Sequence, residues 1–191
     1  MVRLFSAIEL PDSVRAELVA ALRATREADT ALRWVPPVSW HVTLGFYGDQ
    51  QDAARRGAWF RRRAGGLAPV RLRVRGAGRF PGVLWVGVVP VADRDEAALR
   101  ALAAALSADD SADDERDFHP HVTVARWRRG GSGNRGAARA MRDLSGLQGS
   151  RWTATEVVLF RSDQGDGSGT DLSGGPVYTP LDRVTLASEQ G

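Results

Sequence analysis

One tetrapeptide occurs twice in this chain, as His41-Val42-Thr43-Leu44 and as His121-Val122-Thr123-Val124. The copies lie 80 residues apart and open with two of the chain's three histidines. In an extended strand, residues two apart point to the same side. Each copy therefore shows an imidazole and a hydroxyl on one face. Val42 and Leu44, or Val122 and Val124, turn the other way toward a core. The 80-residue offset prompts a search for a wider repeat.

The same offset aligns Leu4-Phe5-Ser6-Ala7-Ile8 with Leu84-Trp85-Val86-Gly87-Val88, apolar on apolar and aromatic on aromatic. A helical pattern follows each of these strands. Val14, Leu18, Ala21 and Leu22 mark one helix face behind Pro11-Asp12, and Leu99, Leu102, Ala103 and Leu106 mark another. Each half then enters its His-x-Thr strand, a second helix (52–64, 134–144) and a further strand (70–76, 152–160). Both halves read β-α-β-α-β, and an extra strand near 177–186 closes the chain. This alternation favours an α/β or α+β lobe, present twice about a pseudo-twofold axis with a groove between. The expectation is one domain over 1–191, with lobes of about 1–80 and 81–191. Gly130–Asn134 and the glycine-rich stretch 165–175 read as exposed loops.

The two motif strands alternate cleanly. Val38, Trp40, Val42, Leu44 and Phe46 form a core face opposite Ser39, His41, Thr43, Gly45 and Tyr47. In the second copy Phe118, Pro120, Val122 and Val124 oppose His119, His121, Thr123 and Ala125. A lone His-x-Thr is ordinarily a half-solvated strand with threonine present for its β propensity. Two copies in register reverse that preference, since strand stability asks for histidine at neither position. Facing each other, they would supply one general base, one general acid and two hydroxyl donors, a set that breaks a phosphodiester without a metal. The metal alternative rests on His119 and His121 at ligand spacing with His41 as a third. Both polar faces lack a carboxylate, and the acidic run 109–117 reads as a solvated loop, so no metal is expected.

Composition narrows the remaining classes. Cysteine is absent, which removes disulfides, thiol nucleophiles and thiolate metal sites, and fits a cytoplasmic location. No apolar run approaches the roughly 20 residues that span a bilayer. Glu9 comes too early for a secretory signal. All 26 basic residues are arginine, which titrates above about 12 and inflates the isoelectric point, so a net charge of +3 is only mildly basic. The densest cationic patch is Arg55, Arg56, Arg61, Arg62 and Arg63 with Arg71, Arg73, Arg75 and Arg79. It reads equally as a solvated face or as a guide for an RNA backbone.

These residues resemble the 2H phosphoesterase superfamily, defined by two His-x-Thr/Ser motifs, and within it the RNA 2′,3′-cyclic phosphodiesterases also described as 2′–5′ RNA ligases. The resemblance runs from Leu4–Ile8 through Arg33-Trp34-Val35-Pro36-Pro37, both motifs with Ala125-Arg126, Val158–Ser162 and Val177–Leu181. It implies an α+β, bilobal fold with antiparallel-rich sheets around the groove. It also implies metal- and cofactor-independent hydrolysis of a 2′,3′-cyclic phosphate on RNA ends or small cyclic nucleotides, giving a 2′-phosphomonoester. His41 would be proton donor and His121 proton acceptor, a polarity that rests on the family because the strands are alike. Thr43 and Thr123 would hydrogen-bond the non-bridging oxygens. Arg126 would add positive charge, although strand parity places it with Val122 and Val124, a conflict that a bulge would remove. Phe5 and Trp85 are expected to pack in the core, with stacking on bases as the alternative. The rival functions are a nucleotide-binding module with little turnover, 2′–5′ ligation as a side activity, and a metal-dependent hydrolase. No partner chain is demanded, and a monomer is expected.

Overall fold

The computed structural model describes residues 2–50, 52–107, 118–128, 131–163 and 176–187. In chain order the elements are β1 (Val2–Glu9), α1 (Asp12–Ala28), β2 (Arg33–Trp34), β3 (His41–Gln50), α2 (Ala53–Ala64), β4 (Val70–Phe80) and β5 (Val83–Pro90). They continue as α3 (Asp93–Leu106), β6 (His121–Arg126), α4 (Gly131–Asp143), β7 (Gln148–Ala154), β8 (Glu156–Asp163) and β9 (Val177–Thr185). The strands form one sheet in the order β7-β4-β5-β6-β3-β1-β8-β9, with β2 paired to β6, and every pairing is antiparallel. The β-α-β-α-β order of each half is present, followed by two closing strands instead of one.

The sheet divides symmetrically at the β6–β3 seam, where Val42 and Val122 are the paired residues. Neither half-sheet is a continuous stretch of chain. β4 leaves the first half of the sequence to pair with β5 and β7, while β8 returns to β1 and β9 pairs on its outer edge. Residues 152–160 are accordingly two strands rather than the single one expected. Thr155 alone separates β7 from β8, although six interstrand steps lie between them in the sheet. At about 4.8 Å per step, a flat sheet would put them far beyond the reach of one residue. The sheet must curl until its two arms converge there, which leaves a concave groove along the seam. Ala154-Thr155-Glu156 carries no turn residue, so nothing local marks the crossing.

The four helices among the described residues pack on one face of the sheet. Val14, Leu18 and Leu22 of α1, Phe60 of α2, Leu99, Leu102 and Leu106 of α3 and Ala137 and Ala140 of α4 join one core with Leu4, Ile8, Val42, Val122 and Leu159. Ala21, expected on the buried face of α1, is exposed, and Thr25 completes that stripe. On the other face, Phe5, Ala7, Val158 and Phe160 form a small separate cluster with Tyr178 against it. β1 and β8 are thus covered on both sides, which is why they read as nearly continuous apolar runs.

Three further local expectations are corrected. β3 starts at His41, because Pro36-Pro37 directs residues Pro37–Ser39 into a 3₁₀ turn that leaves Val38 81% exposed. Phe46 and Tyr47 exchange the faces assigned to them: Phe46 is 58% exposed and Tyr47 is buried. The cause is a pair of bulges in the β1–β3 ladder. Ala7 pairs with Thr43 but Ser6 with Gly45, and Phe5 pairs with Phe46 but Leu4 with Gly48. Leu44 and Tyr47 are the extra residues, and each inserts a one-residue phase change. Finally, α4 begins at Gly131 and absorbs part of the expected loop 130–134. A Cβ on Gly133 would lie 2.8 Å from the Trp127 ring, so this first turn uses glycine to lie against that indole. The loop 165–175 and the acidic run 109–117 lie outside the described residues.

Candidate active site

β3 and β6 run side by side with Val42, Leu44, Val122 and Val124 buried toward the helices. His41, Thr43, His121 and Thr123 consequently emerge together on the groove side. All four line a single cavity of about 280 Å³, together with Arg33, Arg126, Phe80 and Tyr178. The two motifs thus meet across the seam, as their shared spacing requires.

Both imidazoles are held in the same way. His41 Nδ1 lies 2.8 Å from the carbonyl of Ser39, and His121 Nδ1 lies 2.6 Å from the carbonyl of His119. A carbonyl only accepts, so Nδ1 carries the proton in each ring, and Nε2 is left free for other work. A neutral ring then offers Nε2 as a base, and a protonated ring offers Nε2–H as an acid.

Their surroundings differ. Phe5 stands 4.9 Å from His41 between ring centroids, Phe160 6.4 Å and Tyr178 5.2 Å. Burial among these rings is the main reason that the His41 imidazole is lowered to about 4. The hydrogen bond to Ser39 and the charge of Glu9 oppose that shift, while His121 and Arg126 add to it. His121 is more open, and burial also lowers its imidazole, with His119 and Arg126 adding and the hydrogen bond to His119 opposing. Both rings therefore favour the neutral form at pH 7. Tyr178, raised by burial, keeps its phenolic proton.

Arg126 reaches the cavity because β6 carries a bulge of its own. Trp85 pairs with Thr123 but Leu84 pairs with Ala125, so Val124 is the extra residue and the parity beyond it flips. The conflict raised by strand parity is resolved in this way. Arg33, which the motif analysis passed over, is the cross-strand partner of Arg126 in the β2–β6 ladder. Like charges placed opposite one another destabilise a sheet. Neither guanidinium is ion-paired among the described residues, so two cations border the cavity without a protein anion, which suits an anionic ligand. The clue available in the sequence was the charge in the flank Arg33–Pro37, but only the β2–β6 pairing puts it beside Arg126.

Other candidates fall elsewhere. Phe5 is 4% exposed and packs in the small groove-side cluster, as expected of a core residue. Trp85 is not its equivalent: by register against the motif strands, Ala7 and Trp85 face Thr43 and Thr123. The repeat offset is therefore 78 residues for β1 and β5, and not 80. The α2 arginines sit on the helical layer, where Arg56 covers the rings of Tyr47 and Trp59 and Arg61 pairs with Asp182. They do not border the groove. His119 stacks edge-on to Trp85 at 4.5 Å, and among the described residues no three metal-binding side chains come together.

A curled antiparallel sheet with helices on one face and paired His-x-Thr strands on the other is the architecture of the 2H phosphoesterases. The chain belongs to the 2′-5′ RNA ligase superfamily, whose family model matches residues 10–166. It is 32% identical to a Thermus thermophilus protein named RNA 2′,3′-cyclic phosphodiesterase, covering 99% of this chain and 92% of that protein. It is 28% identical to a protein of the same name from Methanothermobacter thermautotrophicus, covering 97% and 99%. The crystal structure of TT0787 from Thermus thermophilus superposes with a TM-score of 0.71 at 27% identity, over 98% of this chain and 99% of that one. No helix among the described residues is long and apolar enough to cross a membrane.

Proposed function

We propose that the protein hydrolyses 2′,3′-cyclic phosphate ends of RNA to 2′-phosphomonoesters, with His41 and His121 as a general acid–base pair and no metal in the reaction. The observation that carries this reading is the pair of imidazoles lining one cavity, each anchored through Nδ1 to a carbonyl two residues before it so that its Nε2 is free. The names of the relatives support the substrate class.

In the proposed reaction the cyclic phosphate lies between the motifs, its non-bridging oxygens facing the hydroxyls of Thr43 and Thr123 and the charges of Arg126 and Arg33. His121 Nε2 takes a proton from water as the water oxygen bonds to phosphorus. The bond from phosphorus to O3′ breaks, and His41 Nε2–H protonates O3′. The product is a 2′-phosphate beside a free 3′ hydroxyl, and the rings exchange protons with solvent to reset. Burial opposes a proton on His41 more than on His121, the less buried ring. The proposed polarity therefore needs the bound anion to favour a proton on His41. Glu9, opposite His41 in the β1–β3 ladder, acts in the same direction, while the matching position opposite His121 is Gly87.

The test is a short RNA ending in a 2′,3′-cyclic phosphate, incubated in EDTA, with the product identified by mass and phosphatase mapping. A 2′-phosphate is expected. His41→Ala and His121→Ala should each lose about 10²–10⁴-fold in turnover, the usual contribution of one such proton transfer. Near-normal turnover in either variant, or activity abolished by the chelator, would overturn the proposal.

A further inference from the structure

A second cavity, of about 430 Å³, is lined by Trp85, Phe118, His119, Arg75, Glu96 and Arg100. That volume falls within the range of roughly 300–1,000 Å³ common to small-molecule sites. Its wall is aromatic and connected to the catalytic centre. Phe80, which lines the first cavity, stands 5.3 Å from the His121 ring and 5.4 Å from the Trp85 ring. Trp85 in turn stands 4.5 Å from His119.

The floor beneath these rings is kept bare. Trp85 lies across Gly78, where any Cβ would overlap the indole, and Gly76 and Gly87 leave the adjoining backbone without side chains. Phe80 and Phe118 remain 39% and 36% exposed, so the aromatic run opens to solvent instead of closing into core. Trp85 Nε1 is buried and has no acceptor, a donor that the protein's own packing leaves over. Arg75 supplies positive charge, while Arg100 is held by hydrogen bonds of 2.8 and 3.2 Å to Glu96, which lines the same cavity and offsets its charge.

Flat aromatic faces with nearby arginine are the means by which single-stranded nucleic acid is held without base-specific pairing. We propose that this cavity takes the nucleotide on the 5′ side of the cyclic end, its base stacked on the exposed ring of Phe118 beside the Trp85–His119 pair and its phosphate near Arg75. The inference rests on the function proposed above and extends it: the protein acts preferentially on RNA ends and only weakly on isolated cyclic mononucleotides.

The experiment compares kcat/KM for a nucleoside 2′,3′-cyclic phosphate with that for a dinucleotide carrying the same terminal base and cyclic phosphate. For the wild type a dinucleotide preference of about five- to a hundredfold is expected, the size of one base–aromatic stack. In His119→Ala and in Phe118→Ala the preference should fall toward one. Each variant is its own reference, so a general loss of activity cancels from the ratio. Equal turnover of both substrates by the wild type would overturn the inference while leaving the phosphodiesterase standing. A preference that survives in both variants would do the same. Failure of the wild type on both substrates would instead remove the proposed function itself.

Discussion

His41 and His121 open the same tetrapeptide, donate the same hydrogen bond to a carbonyl two residues back and face the same cavity, yet their lobes treat them differently. Around His41 the groove face is a closed cluster of Phe5, Phe160 and Tyr178. Around His121 it is an open run of Phe80, Trp85 and His119 that continues into a second cavity. The symmetry is thus kept in the backbone and broken in the side chains. Two equal rings would share a single proton evenly, whereas rings in unequal surroundings favour one of the two single-proton forms. The lobe that closes over its histidine adjusts a proton affinity, and the lobe that stays open has room for more of the substrate.

Stability against pH exposes this difference most strongly. The folded His41 imidazole is lowered from 6.5 to about 4. Above pH 6.5 the ring is neutral in both the folded and unfolded chain and contributes nothing to the pH dependence. Between pH 6.5 and 4 the unfolded chain takes a proton that the folded chain refuses, so stability is lost as the pH falls, by about 3 kcal/mol in all at about 1.4 kcal/mol per unit. His41→Gln should remove that part of the decline in urea unfolding at pH 7 and pH 4. His121→Gln should remove a smaller part. Equal losses in the two variants would mean that the lobes bury their histidines alike.

The second contrast concerns the residue beyond each bulge. Leu44 and Val124 are the extra residues in the two ladders, and Phe46 and Arg126 follow them at the same spacing on the groove side. One lobe supplies an exposed ring there and the other a cation. A charge-assisted hydrogen bond is typically worth about 1.5–3 kcal/mol, so Arg126→Ala should lower kcat/KM by about 10- to 150-fold. Phe46→Ala should stay within about twofold of wild type by the same cost scale, since it removes no such bond. A comparable loss at Phe46 would show that substrate spans both lobes at this level.

Much of this was legible beforehand, for a physical reason. The His-x-Thr strands, the helix stripes and the order β-α-β-α-β are set by periodicity over neighbouring residues, which a sequence displays directly. The features that escaped depend on pairs of strands. A bulge at Leu44 or Val124 belongs to a ladder and not to one strand, so Phe46, Tyr47 and Arg126 could not be placed by parity alone. The same holds for the 78-residue offset of β1 and β5, and for Arg33, brought to the site only by β2–β6 pairing. Thr155 is the extreme case: one residue without turn character joins strands far apart in the sheet.

The smallest expected effect compares Tyr47, in the second half of β3, with Trp127, just beyond β6. Tyr47 and Trp127 hold equivalent positions in the repeat, and each ties its strand to a helix. The Tyr47 hydroxyl is buried, 2.7 Å from Ser6 Oγ and 2.9 Å from the carbonyl of Leu106 at the end of α3. It can donate to the carbonyl while accepting from serine, and burial pushes it up to about 12, so it stays neutral. Trp127 donates to Asn134 Oδ1 at 2.6 Å in a setting open to water. Tyr47→Phe strands a buried acceptor, at a cost of about 1–3 kcal/mol. Asn134→Ala leaves an indole that water can reach, at a cost nearer to about 0.5 kcal/mol. Urea midpoints for the two variants should fall in that order. The reverse order would place the firmer strand-to-helix tie in the lobe of His121, and the closed cluster around His41 would then owe nothing to its anchoring on α3.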